Sequence, residues 1–337
     1  MLSCSLIAEE RVRRREFVTF GGAALIWSQP AFAQQGARVH RIGVLETISL
    51  ALNTANFSAF RKGLAELGYI EGQNLVIEYR SADGHQDRFA DLAGELVRLN
   101  VDLIVTRGTP AAQAAKAATA AVPVVMAGSG DPVGTGIVSS LARPGGNITG
   151  LSALNIETYG KRVEILRELV PRLERIAGLF NMNNPVLQPQ WAETQRAAQS
   201  LGLESRLLDV REAADLEGAF QTAMMERVEA LVVALDSLTQ ANQIRIVQLA
   251  ATHRLPTIYA AGEFVSSGGL LAYTTDFPDL YYRAARYVDK ILKGEKPADL
   301  PIEQSTKFVM IINLKTAKAL GLAIPPALLA RADEVIE

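Results

Sequence analysis

Cysteine and histidine are scarce in this chain. Among 337 residues, Cys4 is the only cysteine, and the three histidines are His40, His85 and His253. A single cysteine offers no internal disulfide, and it precedes the apolar segment that a lipid-anchored cysteine would have to follow. The histidines lie far apart and form no HExxH pair. We therefore expect neither a zinc centre nor a hydrolase that uses a histidine as its base.

Nucleotide-binding and nucleophile motifs are also missing. The sequence contains no GxxxxGK[ST] phosphate loop and no GxSxG elbow. The glycine cluster at residues 128–134 invites a dinucleotide-binding interpretation, but its third glycine comes one residue late for GxGxxG, and Pro132 interrupts the turn. We expect no cofactor and no catalytic residue. The cluster is interpreted as a turn or a small-ligand loop, with Ser129 and Asp131 as candidate contacts.

A basic excess and long apolar runs are absent as well. The formal net charge is -2 at pH 7, so the chain lacks the positive surface that nucleic acid binding requires. The apolar candidates at residues 17–27 and 228–235 are shorter than the roughly 20 residues of a membrane-spanning helix. We expect no nucleic-acid partner and no stable membrane insertion of the mature chain.

The N-terminal segment has the organisation of a cleavable export signal. Residues 11–15 hold four arginines, an apolar run covers residues 17–27, and the triplet Ala-Phe-Ala follows at residues 31–33. This order is typical of a secretory signal peptide. The stretch RREFV at residues 14–18 resembles a twin-arginine signal. We predict a signal peptide over residues 1–33, cleaved near Ala33, and a periplasmic location.

Two sequence patterns alternate from residue 39 onward. One is a short run rich in valine and isoleucine, and the other is a longer stretch with apolar residues three and four positions apart. This alternation is typical of strands joined by crossover helices. Strands are predicted at residues 41–45, 75–79, 102–106, 123–126, 148–151, 176–180, 204–208, 230–235, 257–259, 270–273 and 308–312. Helices are predicted at residues 57–67, 88–99, 111–120, 159–169, 191–201, 216–225, 243–253 and 280–292.

This pattern predicts an α/β protein with two doubly wound parallel-sheet lobes. The elements after residue 270 are too few for a third lobe, so we expect both lobes to share them. The first lobe is predicted over residues 38–151 and about 277–310, and the second over residues 152–276 and about 311–337. Several strands crossing between the lobes would form a hinge, which makes the cleft the natural binding site.

Polar side chains follow the predicted strands at the edge where open parallel sheets bind ligands. The first-lobe candidates are Glu46, Thr47, Arg107, Thr109 and Pro110. Thr109 suits an N-cap and Pro110 a first helical position, which leaves backbone N–H groups for an anion. The second-lobe candidates are Asn183, Asn184, Asp236, Ser237, Tyr259 and Glu263, and Asp276 is expected near the hinge.

The candidates carry charges of the kind that an amino acid requires. Asp236 or Glu263 is expected to hold an ammonium group, opposite a carboxylate bound by the first lobe. If Glu46 faces the cleft, it also favours a positively charged ligand. N-capping of the next helix is an alternative role for Asn184 and Asp236, and the two roles are compatible.

Several longer motifs carry a resemblance that covers nearly the whole chain. They are LGYIEGQN at residues 67–74, TPAA at 109–112, DP at 131–132, RPGGNITG at 143–150, KR at 161–162, NNP at 183–185, KGEKPADLP at 293–301, INLKTAKALG at 312–321 and PP at 325–326. With these motifs the chain resembles the ABC-transport substrate-binding proteins whose named members include tryptophan and tyrosine transport components.

The resemblance implies a type I periplasmic-binding-protein fold, with three crossovers and a ligand trapped by closure of two lobes. It also implies a membrane permease and a cytoplasmic ATPase as partners. The expected function is extracytoplasmic capture of a small ligand, an amino acid or a related small carboxylate, without catalysis. A ligand-sensing subunit of a signalling receptor is an alternative. A doubly wound enzyme is another, although its cofactor fingerprint or nucleophile is missing.

Overall fold

The computed structural model describes residues 38–153 and 156–337, so the predicted signal peptide lies outside the described residues. The first part of the described chain alternates strand and helix. Its elements are β1 (His40–Glu46), α1 (Thr54–Glu66), β2 (Leu75–Ser81), α2 (Phe89–Arg98), β3 (Leu103–Thr106), α3 (Thr109–Ala118), β4 (Val124–Ser129) and β5 (Ile148–Ser152).

The same alternation continues after β5. The next elements are α4 (Glu157–Leu169), β6 (Arg175–Phe180), α5 (Leu187–Ser200), β7 (Glu204–Asp209), α6 (Asp215–Met225), β8 (Ala230–Val233), α7 (Ser237–Ala241), α8 (Gln243–Thr252), β9 (Thr257–Tyr259), α9 (Gly262–Ser266) and β10 (Leu271–Thr275). The last are α10 (Phe277–Leu292), β11 (Glu303–Gln304), β12 (Phe308–Asn313), α11 (Leu314–Leu320), α12 (Pro326–Leu329) and β13 (Glu334–Ile336).

The strands form two sheets. The first sheet has the order β11-β5-β4-β3-β1-β2, and the second has the order β13-β12-β10-β9-β8-β6-β7. We call the first sheet with α1, α2, α3 and α10 the first lobe, and the second sheet with the other helices the second lobe. The predicted fold class, two doubly wound lobes, is confirmed. The chain passes between the sheets three times, after β5, β10 and β11.

One strand departs from the predicted parallel arrangement. β12 pairs with β10 in antiparallel fashion, with Leu271 opposite Ile312 and Thr275 opposite Phe308. Parallel neighbours need a crossover connection. The chain leaves the second lobe at the end of β10 and comes back to it at the start of β12, so these two ends lie together. β12 therefore runs antiparallel to β10. Our boundary near residue 310 falls inside β12, which belongs wholly to the second sheet.

Each sheet is covered by helices on both faces, as parallel sheets require. In the first lobe, α1 and α10 pack over the face that holds Ile42 and Val44, whereas α2 and α3 cover the face of Leu45 and Ile104. In the second lobe, α4 and α5 cover one face, and α6, α8 and α9 cover the other. Within the described ranges, no helix is both long and apolar enough to cross a membrane.

Gly150 in β5 permits a close approach to the neighbouring strand β4. Its φ is 126°, and a Cβ atom there would lie 2.3 Å from the carbonyl oxygen of Met126. We expect Gly150→Ala to lower the free energy of unfolding by about 1–3 kcal/mol through backbone strain, measured by urea unfolding with circular dichroism. Gly218→Ala, in open space on α6, should instead stabilise by about 0.5–1 kcal/mol. Equal stability of the two variants would contradict the expected strain.

Candidate ligand-binding cleft

A cavity of about 90 Å³ lies between the two lobes. One water needs roughly 10–15 Å³ by this measure, so several waters or a small ligand fit. The lining residues come from the carboxyl ends of strands in both lobes, from α4 and α5, and from the hinge. They are Thr47, Arg107, Gly108, Thr109, Pro110, Gly128, Gly130, Ala153, Thr158, Tyr159, Arg162, Asn184, Val186, Leu187, Gln190, Leu235, Asp236, Ser237, Gln240, Ala260, Thr274, Thr275 and Phe277. We call this space the interlobe cavity.

The lobes touch each other directly beside the interlobe cavity. Thr47 Oγ1 donates to Gln240 Oε1 of the second lobe over 3.1 Å, and Arg107 Nη2 donates to Glu263 Oε1 over 2.7 Å. At the rim, Gly84 lies against α7, where a Cβ atom would stand 2.5 Å from the Cβ of Ala241. The structure is therefore a closed arrangement of the lobes.

Arg162 brings a buried cation to the interlobe cavity. It lies on α4, and only 3% of the residue is exposed. Its Nε donates to the carbonyl of Tyr273 over 2.8 Å, and its guanidinium carbon lies 4.2 Å from the centre of the Tyr159 ring. Burial lowers the pKa of Arg162, because desolvation disfavours its charged form. Among the described residues, Nη1 has no hydrogen-bond partner, and no carboxylate lies within 4.0 Å.

Asp236 brings a buried carboxylate to the same cavity. It lies in the loop between β8 and α7 and caps α7 by accepting the N–H of Leu238 over 3.0 Å. Asn181 Nδ2 and Asn184 Nδ2 donate to its two oxygens over 3.0 and 2.8 Å. All these donors are neutral. Within the described part of the chain, no lysine or arginine nitrogen lies within 4.0 Å of the carboxylate.

Three further polar atoms of the lining lack partners among the described residues. They are Gln190 Oε1, Ser237 Oγ and Gln240 Nε2. Buried polar groups in proteins are nearly always hydrogen-bonded. Unpartnered donors and acceptors in the residues of one lining would suit a polar ligand.

The structure brings seven of the predicted site residues together. Those that line the interlobe cavity are Thr47, Arg107, Thr109, Pro110, Asn184, Asp236 and Ser237. The start of α3 differs from the prediction by one residue, because Gly108 with φ 80° is its N-cap and Thr109 its first helical residue. Thr109 Oγ1 instead accepts the N–H of Gly130 over 3.1 Å.

Glu46, predicted to face the cleft, does not line the cavity. β1 runs one residue beyond its predicted end and pairs Glu46 with Ser81. Side chains alternate along a strand, so Glu46 shares the face of Ile42 and Val44 and lies beneath α10. There it is fully buried and accepts the hydroxyl of Tyr281.

Two other acidic candidates and one tyrosine also lie away from the cavity. Glu263 pairs with Arg107 and lies behind it, and the aromatic ring of Tyr259 stacks on Phe264 with 4.8 Å between centroids. Asp276 caps α10 by accepting the N–H of Asp279 over 3.0 Å. These side chains are engaged within the protein, so they leave Asp236 as the acidic candidate in the lining.

The remaining three candidates are local or peripheral. Ser129 Oγ is 3.5 Å from Thr109 Oγ1 but does not line the cavity. Asp131 closes its own turn by accepting the N–H of Gly134 over 2.8 Å. Asn183 lines an outer groove at the rim of the cleft.

Sequence reasoning missed Tyr159, Arg162, Gln190 and Gln240 because they lie within helices, and it also missed Phe277, the first residue of α10. For Arg162 a signal existed. The buried stripe of α4 recurs at residues 159, 162, 163, 166 and 169, and an arginine within an apolar stripe is unusual unless it meets a partner.

The amide side chains that donate to Asp236 should contribute to the stability of the fold. Asn181→Ala removes one buried donor to the carboxylate, which should lower the free energy of unfolding by about 1–3 kcal/mol, measured by urea unfolding. When Asp236 is already replaced by alanine, Asn181→Ala should lower the free energy of unfolding by at least about 0.5 kcal/mol less than it does in the wild type, because the two residues are in contact. Additive costs in this double-mutant cycle would contradict the interaction.

Comparisons with known proteins identify relatives of the chain. A tyrosine-binding protein of Clostridioides difficile (strain R20291) is 29% identical over 263 residues, which cover 78% of this chain and 75% of the relative. The structure of an ABC domain in complex with L-Trp from Streptococcus pneumonia is 31% identical, covers 88% of this chain and 100% of that one, and gives a TM-score of 0.80.

A ligand-free, open structure provides a contrast. This substrate-binding protein with adhesive properties from Clostridium difficile is 25% identical, covers 88% of this chain and 99% of that one, and gives a TM-score of 0.63. The lower score agrees with the direct contacts between the lobes described above. Residues 41–336 match the model of a family described as ABC transporter substrate binding protein. The chain therefore belongs to the ABC transporter substrate-binding protein family.

Proposed function

We propose that this substrate-binding protein captures an α-amino acid in the interlobe cavity, with aromatic amino acids as the first candidates. The observation that carries the proposal is a pair of buried charges in one lining: Arg162 without a carboxylate partner and Asp236 without a cation, among the described residues. The names of two relatives, one tyrosine-binding and one solved with L-Trp, support the aromatic class.

A zwitterion offers each buried charge its missing partner. Burying a charge is costly unless it is paired and hydrogen-bonded, and hydrogen bonds to charged groups contribute about 1.5–3 kcal/mol each. The ammonium group is assigned to Asp236 and the carboxylate to Arg162. The start of α3, at Gly108 and Thr109, adds about 0.3–1 kcal/mol for an anion near it.

Apolar contacts supply the rest of the affinity. A micromolar ligand needs about -8 kcal/mol, which is more than two charged hydrogen-bonding groups provide. Val186, Leu187, Leu235 and Phe277 line the same cavity. Burial of an apolar side chain against them contributes roughly 25 cal/mol per Å², which suits an amino acid with a large side chain.

Capture and release follow from lobe closure. A ligand that contacts both lobes stabilises the closed state by its preference for that state over the open one. Family membership implies transporter partners. We propose that these are a membrane permease, which receives the ligand, and a cytoplasmic ATPase. We propose that the protein itself performs no chemistry on the ligand.

Substrate-binding proteins of this family are extracytoplasmic. We propose that residues 1–33 are a signal peptide of the twin-arginine type, that cleavage occurs near Ala33, and that the mature protein works in the periplasm. The arginine cluster at residues 11–15 and the triplet at residues 31–33 support this part of the proposal.

Asp236→Asn should reduce the affinity for L-tryptophan or L-tyrosine about 10- to 100-fold, the loss of one charge-assisted interaction. Asparagine keeps the size and the helix-capping ability of the residue. Indole-3-propionate, which lacks the amino group, should bind the variant and the wild type equally. Titration calorimetry measures both, and Asp91→Asn, exposed on α2, is the matched control. An equal loss for both ligands would contradict the assigned role.

Arg162→Gln provides the reciprocal arm of this experiment. It should weaken L-tryptophan and indole-3-propionate alike, whereas tryptamine, which has no carboxylate, should lose little. Arg172→Gln, at an exposed position after α4, is the matched control. If none of these compounds shifts the melting temperature of the wild type at millimolar concentration, the aromatic class is wrong.

Replacement of Arg14 and Arg15 by lysine should abolish export if the twin-arginine route is used. Fractionation of cells that express the full chain would then show the precursor retained in the cytoplasm, and N-terminal sequencing of the wild type would give a first residue near Gln34. Undiminished export of the lysine variant would indicate the general secretory route instead.

A further inference from the structure

Arg107 lies between two carboxylates, one from each lobe. Its side chain is 2% exposed. Nη2 donates to Glu263 Oε1 on α9 of the second lobe over 2.7 Å, and Nη1 donates to Asn53 Oδ1 of the first lobe over 3.0 Å. Asn56 Nδ2 also donates to Glu263 Oε1, over 2.9 Å. Glu263 is thus held by two first-lobe side chains only while the lobes are closed.

Glu46 is the other carboxylate of this group, and it belongs to the first lobe. It is fully buried. The groups that face it are Tyr281 of α10, Tyr79 of β2, Asn53 before α1, and Arg107 after β3. Tyr281 donates to Oε1, whereas Oε2 has no partner among the described residues. Of the side chains that face Glu46, only Arg107 carries a charge, and its guanidinium lies beyond 4.0 Å.

The charges of the closed state do not balance if both carboxylates are ionised. One guanidinium would face two carboxylates in a region from which water is excluded, and an uncompensated buried charge is costly. Burial raises the pKa of Glu46 to about 7, because desolvation outweighs its attraction to Arg107. For Glu263, burial is more than offset by the direct contact with Arg107, so its pKa is lowered.

We propose that Arg107, Glu263 and Glu46 form a latch that couples closure of the lobes to the uptake of one proton. In the closed state Glu263 holds Arg107, and Glu46 carries a proton taken from solvent. When the lobes open, Glu263 moves away with the second lobe. Arg107 then interacts with Glu46 alone and stabilises its ionised form, so Glu46 releases its proton to solvent. Arg107 and Glu263 are positioning residues in this scheme.

The sign of the pH dependence follows from proton counting. The closed state binds one proton more than the open state at pH values between the two pKa values of Glu46, of which the closed-state value is about 7. Lower pH therefore favours closure in that window, by up to about tenfold in the closed-to-open ratio per pH unit. Above the window, Glu46 is ionised in both states, and the dependence vanishes.

The latch is testable without any ligand, so its outcome is separate from the proposed function. Gln86 and Ala213 are exposed and line the same outer groove from opposite lobes. Spin labels on cysteines at these positions, in the chain carrying Cys4→Ser, report the distance across the cleft by pulsed electron resonance. For the otherwise unchanged protein, we expect the short-distance population to be larger at pH 6 than at pH 8.

Two variants distinguish the effect of the Glu46 proton on closure from the effect of the Arg107–Glu263 ion pair. Glu46→Gln imitates the protonated side chain, so its distance distribution should stay closed and be the same at pH 6 and pH 8. Glu263→Gln removes the interlobe ion pair, so its short-distance population should fall at both pH values. A distribution that does not change with pH in the parent protein, or one that still changes in Glu46→Gln, would overturn the proposal.

A third variant, Tyr281→Phe, tests the titration of Glu46 without replacing Glu46 itself, in case Glu46→Gln does not fold. Tyr281→Phe removes the donor that stabilises ionised Glu46. The pKa of Glu46 should rise, and the midpoint of the distance change should move to higher pH. A midpoint at the same pH as in the parent protein would show that Glu46 is not the group that takes up the proton.

Discussion

The direction of parallel strands is the constraint on which this structure depends. Parallel neighbours must be joined by crossovers, so all their carboxyl ends, and the loops that follow them, meet at one edge of each sheet. The two sheets present these edges to a common cleft. The three passages of the chain between the lobes lie after β5, β10 and β11, so the lobes can separate without either core being disturbed.

The cleft contains two kinds of charge with different duties. Asp236 and Arg162 are buried in the lining without partners of opposite sign among the described residues, and we propose that a ligand supplies these partners. Arg107 and Glu263 satisfy each other across the lobes and need no ligand. In our proposals the first pair provides selectivity for the ligand, and the second influences how readily the ligand-free protein closes. A binding protein needs both, since the apparent affinity is the intrinsic affinity scaled by the closed population.

The sequence predicted best those residues that lie close to the end of a strand. The Val- and Ile-rich runs located the strands of both cores. Thr47, Thr109 and Asp236 were found because they lie within three residues of a strand end. Helices α7 and α9, with five residues each, were missed because they are too short to display a helical period. Glu46 was misplaced because one extra residue of β1 turns a side chain to the other face of the sheet. Arg162 was missed because its neighbours in the cavity come from distant parts of the chain.

The contact of Gly84 with α7 at the rim of the cleft bears on how far the lobes can close. The closed lobes leave no space there for even one methyl group, since a Cβ atom would stand 2.5 Å from that of Ala241. Any side chain at this position would meet α7 and prevent the lobes from closing fully. The extent of lobe closure is therefore limited by a contact at the rim, outside the cavity lining.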